Sequence, residues 1–256
     1  MKIGIIGTGA LGGTIAKKLV AAGHKVKATN ASPVSELKER AAQLGVAAAS
    51  IKDVVRDVEI IIVSIPTNAI PNLPRDLFAG VPGDVIVIDT TNYYPYRDGP
   101  IENGFIDKLE SIWVSRELRR PVVKAFNNLL SYTLENRAKA KGAPGRIAIA
   151  ISGDDEKAKF IVSELIDELG FDPVDVGPLS ESWRHQPGMP SYCTELSAPE
   201  LEQALADHEN IREIAPQLRD LTTDKLMART TPPSHQEMLD AIRSLFPINP
   251  KQDDGQ

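Results

Sequence analysis

A glycine-rich hexapeptide stands near the start of the chain: Gly7-Thr8-Gly9-Ala10-Leu11-Gly12. It directly follows a short apolar run and opens a segment with helical periodicity, which is the context in which this spacing binds a dinucleotide. The first glycine permits a tight turn, the second lets the backbone approach a pyrophosphate, and the third lets helix and strand pack closely. Free N–H groups at the helix start attract the phosphates. The hexapeptide therefore predicts a dinucleotide site.

The residues after the second predicted strand bear on which dinucleotide is bound. Where NAD-binding proteins usually carry Asp or Glu for the ribose hydroxyls, this chain has Asn30, Ala31 and Ser32. Asn30 and Ser32 can donate hydrogen bonds to a 2′-phosphate that a carboxylate would repel, and Lys38 and Arg40 lie one helix away. We predict NADP (NADPH) as the cofactor. A polar strand end that tolerates either cofactor is the alternative.

Three further strand ends carry residues that could line the rest of the cofactor. Ligands of open α/β sheets bind at the carboxyl ends of the strands, so we predict contacts with the ribose and nicotinamide there. Ordinary turns rich in Asn and Thr are the alternative. The residues are Ser64, Ile65, Pro66 and Asn68 after the fourth strand, Thr91 and Asn92 after the fifth, and Ala125, Phe126 and Asn127 after the sixth.

Candidates for acid–base or nucleophilic chemistry are few. His185 is the candidate proton donor, because a histidine pKa suits general acid catalysis near neutrality; a structural loop histidine is the alternative. Cys193 has no activating neighbour in the sequence, and no Cys/His set has the spacing of a metal site. No Ser-His-Asp set or carboxylate pair is apparent. This favours direct hydride transfer between two stacked rings over alcohol oxidation.

Short Val/Ile-rich runs alternate with helical patterns over most of the chain, which predicts a parallel sheet covered on both faces. We predict strands over 2–6, 25–29, 46–49, 59–65, 85–89, 122–125, 146–151 and 172–176. Helices are predicted over 11–22, 34–44 and 51–56, with another that opens at 152–155 and ends at Gly170. The predicted fold class is α/β, a Rossmann-type, doubly wound, mostly parallel sheet with a small helical C-terminal part.

The pattern changes after about residue 179. A Pro- and Gly-rich loop is predicted over 183–193, then a helix opened by Ser197 and charged helical segments broken near Pro216 and at Pro232-Pro233. We predict an NADP-binding domain over 1–180, a C-terminal loop and helical region over 181–246, and a flexible tail over 247–256. The apolar spacing in 211–221 and 238–245 allows two interpretations. These helices cover their own subunit, or they pack at a subunit interface and help to close a pocket containing His185 and Met189.

The composition excludes several classes of partner. The chain has 256 residues and a net charge of −6, so no cationic field attracts nucleic acid or an anionic membrane. The single cysteine cannot form an intramolecular disulfide, which fits a reducing cytoplasm. Glycines interrupt the first apolar run, so no signal peptide is expected. No apolar stretch approaches the ~18 residues of a membrane span.

An ordered set of motifs resembles a known family, the NADP-dependent reductases of the deazaflavin coenzyme F-420 within the wider bacterial dinucleotide-binding reductases. The motifs are KIGIIGTGALGGTIAKKLVAAGH, VSIP, DTTN, VKAFN, SGDDEKAK, DELGFDPVDVGPL and RHQPGMP, and they cover about residues 1–190. The resemblance implies an NADP-dependent oxidoreductase with a small-molecule acceptor, usually a homodimer. It implies that residues 7–12 hold the pyrophosphate and residues 30–32 the 2′-phosphate. Ile65, Pro66 and Asn68 would line the nicotinamide ribose, and residues 125–127 would flank the nicotinamide.

Two other functions stay open. Members that reduce the deazaflavin are usually shorter and lack the long charged tail of this chain, so we expect the tail to replace or cover the acceptor site. Lys124 with Asn127 and Asn128 superficially matches the catalytic residues of 3-hydroxyacid dehydrogenases and imine reductases. A non-catalytic NADP(H) redox sensor, with the helical tail as its effector surface, is the third interpretation.

Overall fold

Eight strands form one sheet within residues 1–101, 109–206 and 209–246, the ranges that the computed structural model describes. They are β1 (Lys2–Ile6), β2 (Lys25–Thr29), β3 (Ala47–Ala48), β4 (Ile60–Val63), β5 (Ile86–Asp89), β6 (Val123–Lys124), β7 (Ala148–Ser152) and β8 (Asp172–Gly177). Their order is β3-β2-β1-β4-β5-β6-β7-β8, and neighbours are parallel except β6 and β7. The predicted Rossmann-type, doubly wound, mostly parallel sheet is confirmed.

Helices cover both faces of this sheet. They are α1 (Ala10–Ala21), α2 (Val34–Leu44), α3 (Pro95–Asp98), α4 (Glu110–Leu118), α5 (Ser131–Asn136), α6 (Glu156–Glu168), α7 (Ala198–Leu205), α8 (Glu209–Met227) and α9 (His235–Arg243), with 3-10 helices at Thr67–Asn72 and Leu179–His185. Alternate side chains of β4 point to opposite faces. Ile60 and Ile62 pack in a layer with α1 and α6, whereas Ile61 and Val63 pack in a layer with α4. The carboxyl ends of β1, β4, β5 and β6 are thereby held side by side.

The C-terminal helices pack against the body of their own chain. Helix α7 lies on β7 and β8. Helix α8 packs through Ala215 against Trp183 and Met189, and α9 packs through Ile242 against Tyr192. The predicted helical C-terminal part is therefore confirmed, whereas the division at residue 180 stays a prediction. The tail predicted over 247–256 lies outside the described residues.

Two local predictions are wrong. Residues 51–56 form consecutive turns instead of a helix, and Asp57 directly after them has a φ of +50°, which a continuing helix does not allow. The break predicted near Pro216 is absent from α8, which runs continuously through it. A proline removes one helical hydrogen bond, but the packing of Ala215 against Trp183 holds this part of the helix in place.

Within the described ranges, no helix is both long enough and apolar enough to cross a membrane. The same residues contain no cluster of His, Cys, Asp or Glu that could hold a metal ion.

Candidate functional site

The predicted glycine loop joins β1 to α1, and its three glycines differ in their surroundings. Gly7 has a φ of +107°, and a Cβ there would stand 2.0 Å from the carbonyl oxygen of Ser64. A Cβ at Gly12 would stand 2.2 Å from the carbonyl oxygen of Gly7. By contrast, a Cβ at Gly9 meets no described atom within 4 Å. Gly7 and Gly12 are thus needed for the turn and its packing, whereas the space next to Gly9 is open.

The N-terminus of α1 is exposed at this loop. Gly9 is its N-cap, no described side chain caps it, and its first turn contains no acidic residue. Gly9 and Ala10 are exposed, while Leu11 is half-buried. The uncapped N–H groups and the positive end of the helix dipole therefore face solvent beside an open cradle, an arrangement that fits a pyrophosphate.

Polar groups from β2 and α2 converge on the same loop. Asn30 donates from Nδ2 to Thr8 Oγ1 at 2.7 Å and accepts from the backbone N–H of Ser32 at 3.0 Å. Arg40 reaches back from α2, and its Nε and Nη2 donate to the carbonyl oxygen of Thr8 at 3.3 and 3.2 Å. Since a guanidinium carries five N–H groups, three remain. In the described part of the chain, Arg40 has no carboxylate partner.

The ends of β4, β5 and β6 lie beside one another, as predicted from their order. Ser64 is half-buried, and Pro66 and Asn68 are exposed where the 3-10 helix Thr67–Asn72 begins. Asn92 Nδ2 donates to the carbonyl oxygen of Asn127, and Asn127 Nδ2 donates to Asn92 Oδ1, each at 3.0 Å. The two asparagines therefore tie the loops after β5 and β6 together.

Other predicted cofactor residues are less accessible. Thr91 donates its backbone N–H to Asp89 Oδ1 at 2.8 Å and is buried. Ala125 and Phe126 are completely buried, and the Phe126 ring belongs to the apolar layer beneath the sheet. In this arrangement a ligand at the end of β6 meets mainly backbone and Asn127, and the predicted contacts with the nicotinamide stay predictions.

A fully buried ion pair lies beneath these strand ends. Lys124 Nζ is 3.1 Å from Asp89 Oδ2 and also donates to the carbonyl oxygen of Thr91, while Ser111 donates to Asp89 at 2.8 Å. Both charged side chains are 0% exposed. Lys124 thus lies in β6 within the sheet and is closed to a substrate, which weakens the analogy with dehydrogenases that use a catalytic lysine.

His185 is held in a second buried network. Its Nδ1 is 2.8 Å from Asn127 Oδ1 and its Nε2 is 2.8 Å from Ser152 Oγ. Because Asn127 Nδ2 already donates to Asn92 and to the His185 carbonyl oxygen, its Oδ1 accepts from Nδ1–H, and the bare Nε2 accepts from Ser152. Burial, assisted by the charge of Lys124, lowers the pKa of His185 to about 3. The imidazole is neutral and fully engaged, so the geometry does not support the predicted proton donor.

Glu110 is a buried acid that the sequence did not single out. Burial raises its pKa to about 7, against the opposing charge of Lys124, and it accepts from the backbone N–H of Tyr93 at 3.1 Å. It lines a cavity of about 150 Å³ together with Trp183 of the 3-10 helix and with Arg212 and other residues of α8. A carboxyl that titrates near neutrality beside a cavity is a feature of functional sites. The sequence carried no signal for it, because α4 was not predicted.

The sheet order and the glycine loop define a Rossmann-type α/β protein, and comparison with known proteins gives the family. The model of the family described as NADP oxidoreductase, coenzyme F420-dependent, matches residues 2–93. Protein YjhV of Escherichia coli (strain K12) is 34% identical over 129 residues, which are 50% of this chain and 84% of YjhV. The chain belongs to the family of coenzyme F420-dependent NADP oxidoreductases.

Solved structures share the fold. Protein SMa0349 from Sinorhizobium meliloti superposes with a TM-score of 0.58 at 30% identity, over 71% of this chain and 87% of that one. A protein from Arthrobacter sp. FB24 that carries the name F420-dependent NADP-reductase superposes with a TM-score of 0.56 at 24% identity, over the same shares of both chains. The second similarity shows the fold alone.

Proposed function

We propose that the protein is an NADP(H)-dependent oxidoreductase that transfers a hydride between the nicotinamide and a ring acceptor such as a deazaflavin or flavin. One observation carries the proposal. Beside the open cradle at Gly9, the side chains of Asn30 and Arg40 both donate hydrogen bonds to Thr8, and Ser32 follows in the turn that Asn30 closes. The turn that follows β2 carries no carboxylate. This combination favours a dinucleotide with an additional phosphate on its adenosine ribose.

The residues fit the cofactor from one end to the other. The start of α1 at Gly9 and Ala10 suits the pyrophosphate, and Asn30, Ser32 and Arg40 suit the 2′-phosphate. The residues after β4 suit the ribose, and Asn92 and Asn127 suit the nicotinamide. When bound, the cofactor supplies or accepts the hydride. The protein supplies position, because the ion pair of Asp89 and Lys124 and the hydrogen bonds of His185 hold the strand ends rigidly.

The buried groups also support the choice of reaction class. Asp89 and Lys124 are paired with each other, and both ring nitrogens of His185 are hydrogen-bonded to the side chains of Asn127 and Ser152. None of the three is therefore free to exchange a proton with a substrate. Hydride transfer between two stacked rings needs orientation and exclusion of water rather than a strong acid. We therefore expect NADPH oxidation with deazaflavin, flavin or quinone acceptors and little with small carbonyl compounds. Equal turnover of small carbonyl compounds would contradict this class.

The assembly we propose is a homodimer. Helix α8 packs on the body through Ala215, but it leaves Ile214, Leu221 and Met227 largely exposed. Exposed apolar side chains along one helix are typical of an interface. Leu221→Glu should convert a dimer to a monomer in sedimentation experiments, with the exposed Asp224→Ala as the matched control on the same helix. A wild-type protein that sediments as a monomer would rule the dimer out.

A further inference from the structure

An apolar cavity of about 230 Å³ lies between the C-terminal helices and the body of the protein. We call it the tail cavity. Its body side includes Tyr94, Leu130 and Tyr192, its other side includes Met238 and Ile242 of α9, and residues of α8 complete the wall. Neither the glycine loop nor the predicted cofactor residues line it, so the cofactor does not account for it.

The helices around the tail cavity are anchored to the body of the protein. Gly188, which lines the cavity, has a φ of +90°, and a Cβ there would stand 2.0 Å from the carbonyl oxygen of Ala215 in α8. At the end of α9, Arg243 donates twice to the carbonyl oxygen of Thr194, at 3.0 and 2.8 Å. The cavity is therefore a fixed feature of this arrangement of helices.

The walls of the tail cavity favour an uncharged ligand. Among the described residues that line it, Arg219 is the only charged one, and it is paired with Asp220 at 2.8 Å. The hydroxyls of Thr222 and Thr223 donate to backbone carbonyls one turn back in α8, at 2.9 and 3.0 Å. The surface left for a ligand is apolar and aromatic, apart from two tyrosine hydroxyls.

These two hydroxyls form a hydrogen-bonding group inside the apolar wall. The oxygens of Tyr94 and Tyr192 are 2.7 Å apart, and burial raises the pKa of both, so they stay protonated. Only one of their two protons is used between the two oxygens, so the other O–H can donate to a ligand. A few polar groups of this kind in an apolar site fix the orientation of a ligand. The tyrosine pair thus favours a ligand with one hydrogen-bonding oxygen.

The size of the tail cavity restricts the ligand further. An apolar cavity of about 150 Å³ in a protein holds benzene. At about 230 Å³ the tail cavity has room for one ring or two fused rings. A deazaflavin or flavin, with three fused rings and a long polar side chain, is too large for it, since pockets for ligands of that size usually measure ~300–1,000 Å³.

Side chains separate the tail cavity from the predicted nicotinamide site. The Tyr192 hydroxyl accepts from Asn92 Nδ2 at 3.3 Å, and the same Nδ2 donates to the carbonyl oxygen of Asn127 at 3.0 Å. Asn92 and Asn127 follow β5 and β6, at the sheet edge where we place the nicotinamide. Because Asn92 and the tyrosine pair lie between the two places, a ligand in the tail cavity cannot receive a hydride. It can act on that edge through these hydrogen bonds.

We propose that the tail cavity is an effector site for an uncharged aromatic compound of one or two rings with a hydrogen-bonding oxygen, and that its occupation tightens cofactor binding. The oxygen of the ligand engages the tyrosine pair and fixes the Tyr192 hydroxyl, which holds Asn92. Asn92 ties the loops after β5 and β6 together. The cofactor then meets loops that are already ordered, so less conformational entropy is lost when it binds.

This inference goes beyond the proposed function, because it adds a second ligand that takes no part in the reaction. Its coupling step rests on the cofactor position given there. The C-terminal helices, which the sequence motifs of the family do not cover, then build a regulatory site.

Equilibrium dialysis of 2-naphthol, which has two fused rings and one hydroxyl, against the full-length protein without nucleotide tests the site. Met238→Trp places an indole in the tail cavity from α9, and Thr223→Phe fills it from α8. We expect each variant to weaken 2-naphthol binding by about tenfold or more, because the larger side chain occupies the space of the ligand. Gln236→Trp is the matched control, since Gln236 is exposed on α9 and does not line the cavity. It should bind 2-naphthol like the wild type.

Two results of the dialysis would overturn the proposal. A wild type that does not bind 2-naphthol would show that another part of the protein or a second copy of it fills the cavity. Two folded cavity variants that bind 2-naphthol as the wild type does would show that the compound binds elsewhere.

Calorimetric titration with NADP⁺, which carries no hydride to transfer, tests the coupling. Saturating 2-naphthol should raise the NADP⁺ affinity of the wild type at least about fivefold, and NADP⁺ should raise the 2-naphthol affinity by the same factor. Tyr192→Phe keeps the aromatic ring and the Tyr94 hydroxyl but removes the oxygen that accepts from Asn92. This variant should still bind 2-naphthol and should lose the coupling.

The outcomes of this titration separate the inference from the proposed function. An NADP⁺ affinity that 2-naphthol leaves unchanged or lowers would contradict the effector role and leave the proposed function standing. Coupling that persists in Tyr192→Phe would overturn the route through Asn92. A wild type that binds 2-naphthol but never NADP⁺ would contradict the proposed function and the coupling together.

Discussion

Replacing Arg40 should remove the preference for NADPH while leaving the rest of the dinucleotide site intact. Arg40 makes two hydrogen bonds to the Thr8 carbonyl oxygen and has three N–H groups left for a phosphate. A hydrogen bond to a charged group contributes about 1.5–3 kcal/mol. Arg40→Gln should therefore weaken binding of adenosine 2′,5′-bisphosphate roughly 10- to 150-fold. The affinity for adenosine 5′-monophosphate, which lacks the 2′-phosphate, should change by less than about twofold.

Calorimetric titration of both nucleotides distinguishes loss of the phosphate contact from damage to the loop. If Arg40 only supports the glycine loop through Thr8, both affinities fall together. Lys38→Gln is the matched control, because Lys38 is exposed on the same helix and forms no ion pair among the described residues. In the wild type, the difference in affinity between the bisphosphate and the monophosphate should shrink as salt is added, since the charge of the half-buried Arg40 is partly screened. An Arg40→Gln variant that binds the bisphosphate as tightly as the wild type would refute the reasoning.

Three further perturbations test the site and its support. Gly9→Val should abolish NADPH binding in calorimetry yet keep the thermal midpoint, because its side chain enters the open cradle; normal affinity in the folded variant would place the cofactor elsewhere. Burial raises the Glu110 pKa from 4.5 to about 7, so the wild type should lose about 3 kcal/mol of stability as pH rises through that window. In Glu110→Gln, chemical denaturation at both ends of this pH window should show no such loss of stability. A difference in stability between the variant and the wild type that does not change with pH would contradict the prediction. Lys124→Met leaves the buried Asp89 charge without its partner and should lower the free energy of unfolding by about 3–5 kcal/mol. The double variant with Asp89→Asn should recover part of this loss, and equal stability of the single and double variants would contradict the pairing.

The predictable parts of the fold are those that depend on local pattern. β1 and β2 agree with the predicted strands residue for residue, because Gly7 after β1 and Gly23 before β2 separate their buried apolar residues from helix α1. The six residues over 51–56 were too short for periodicity to decide between helix and turns. Helix α4 was missed because Glu110 and Ser111 are polar yet face inward, where Ser111 donates to Asp89.

The site also has parts that depend on local sequence and parts that depend on long-range contacts. The glycine loop is contiguous in sequence, so its composition predicts its geometry. Arg40 meets Thr8 across 32 residues, Lys124 meets Asp89 across 35, and Tyr192 meets Tyr94 across 98. No local pattern encodes these pairings, since they arise only when the sheet brings distant strand ends together. For His185 the residue type suggested a proton donor, but burial keeps the imidazole neutral, and its hydrogen bonds hold the surrounding loops.

Steady-state oxidation of NADPH under anaerobic conditions, with a panel of acceptors, tests the central claim most directly. The panel contains a deazaflavin, a flavin, menadione and small carbonyl compounds, and NADH replaces NADPH in a parallel series. The account predicts turnover with at least one ring acceptor, little with the carbonyl compounds, and a preference for NADPH over NADH of about tenfold or more. No turnover with any ring acceptor, or an equal or higher rate with NADH, would contradict it.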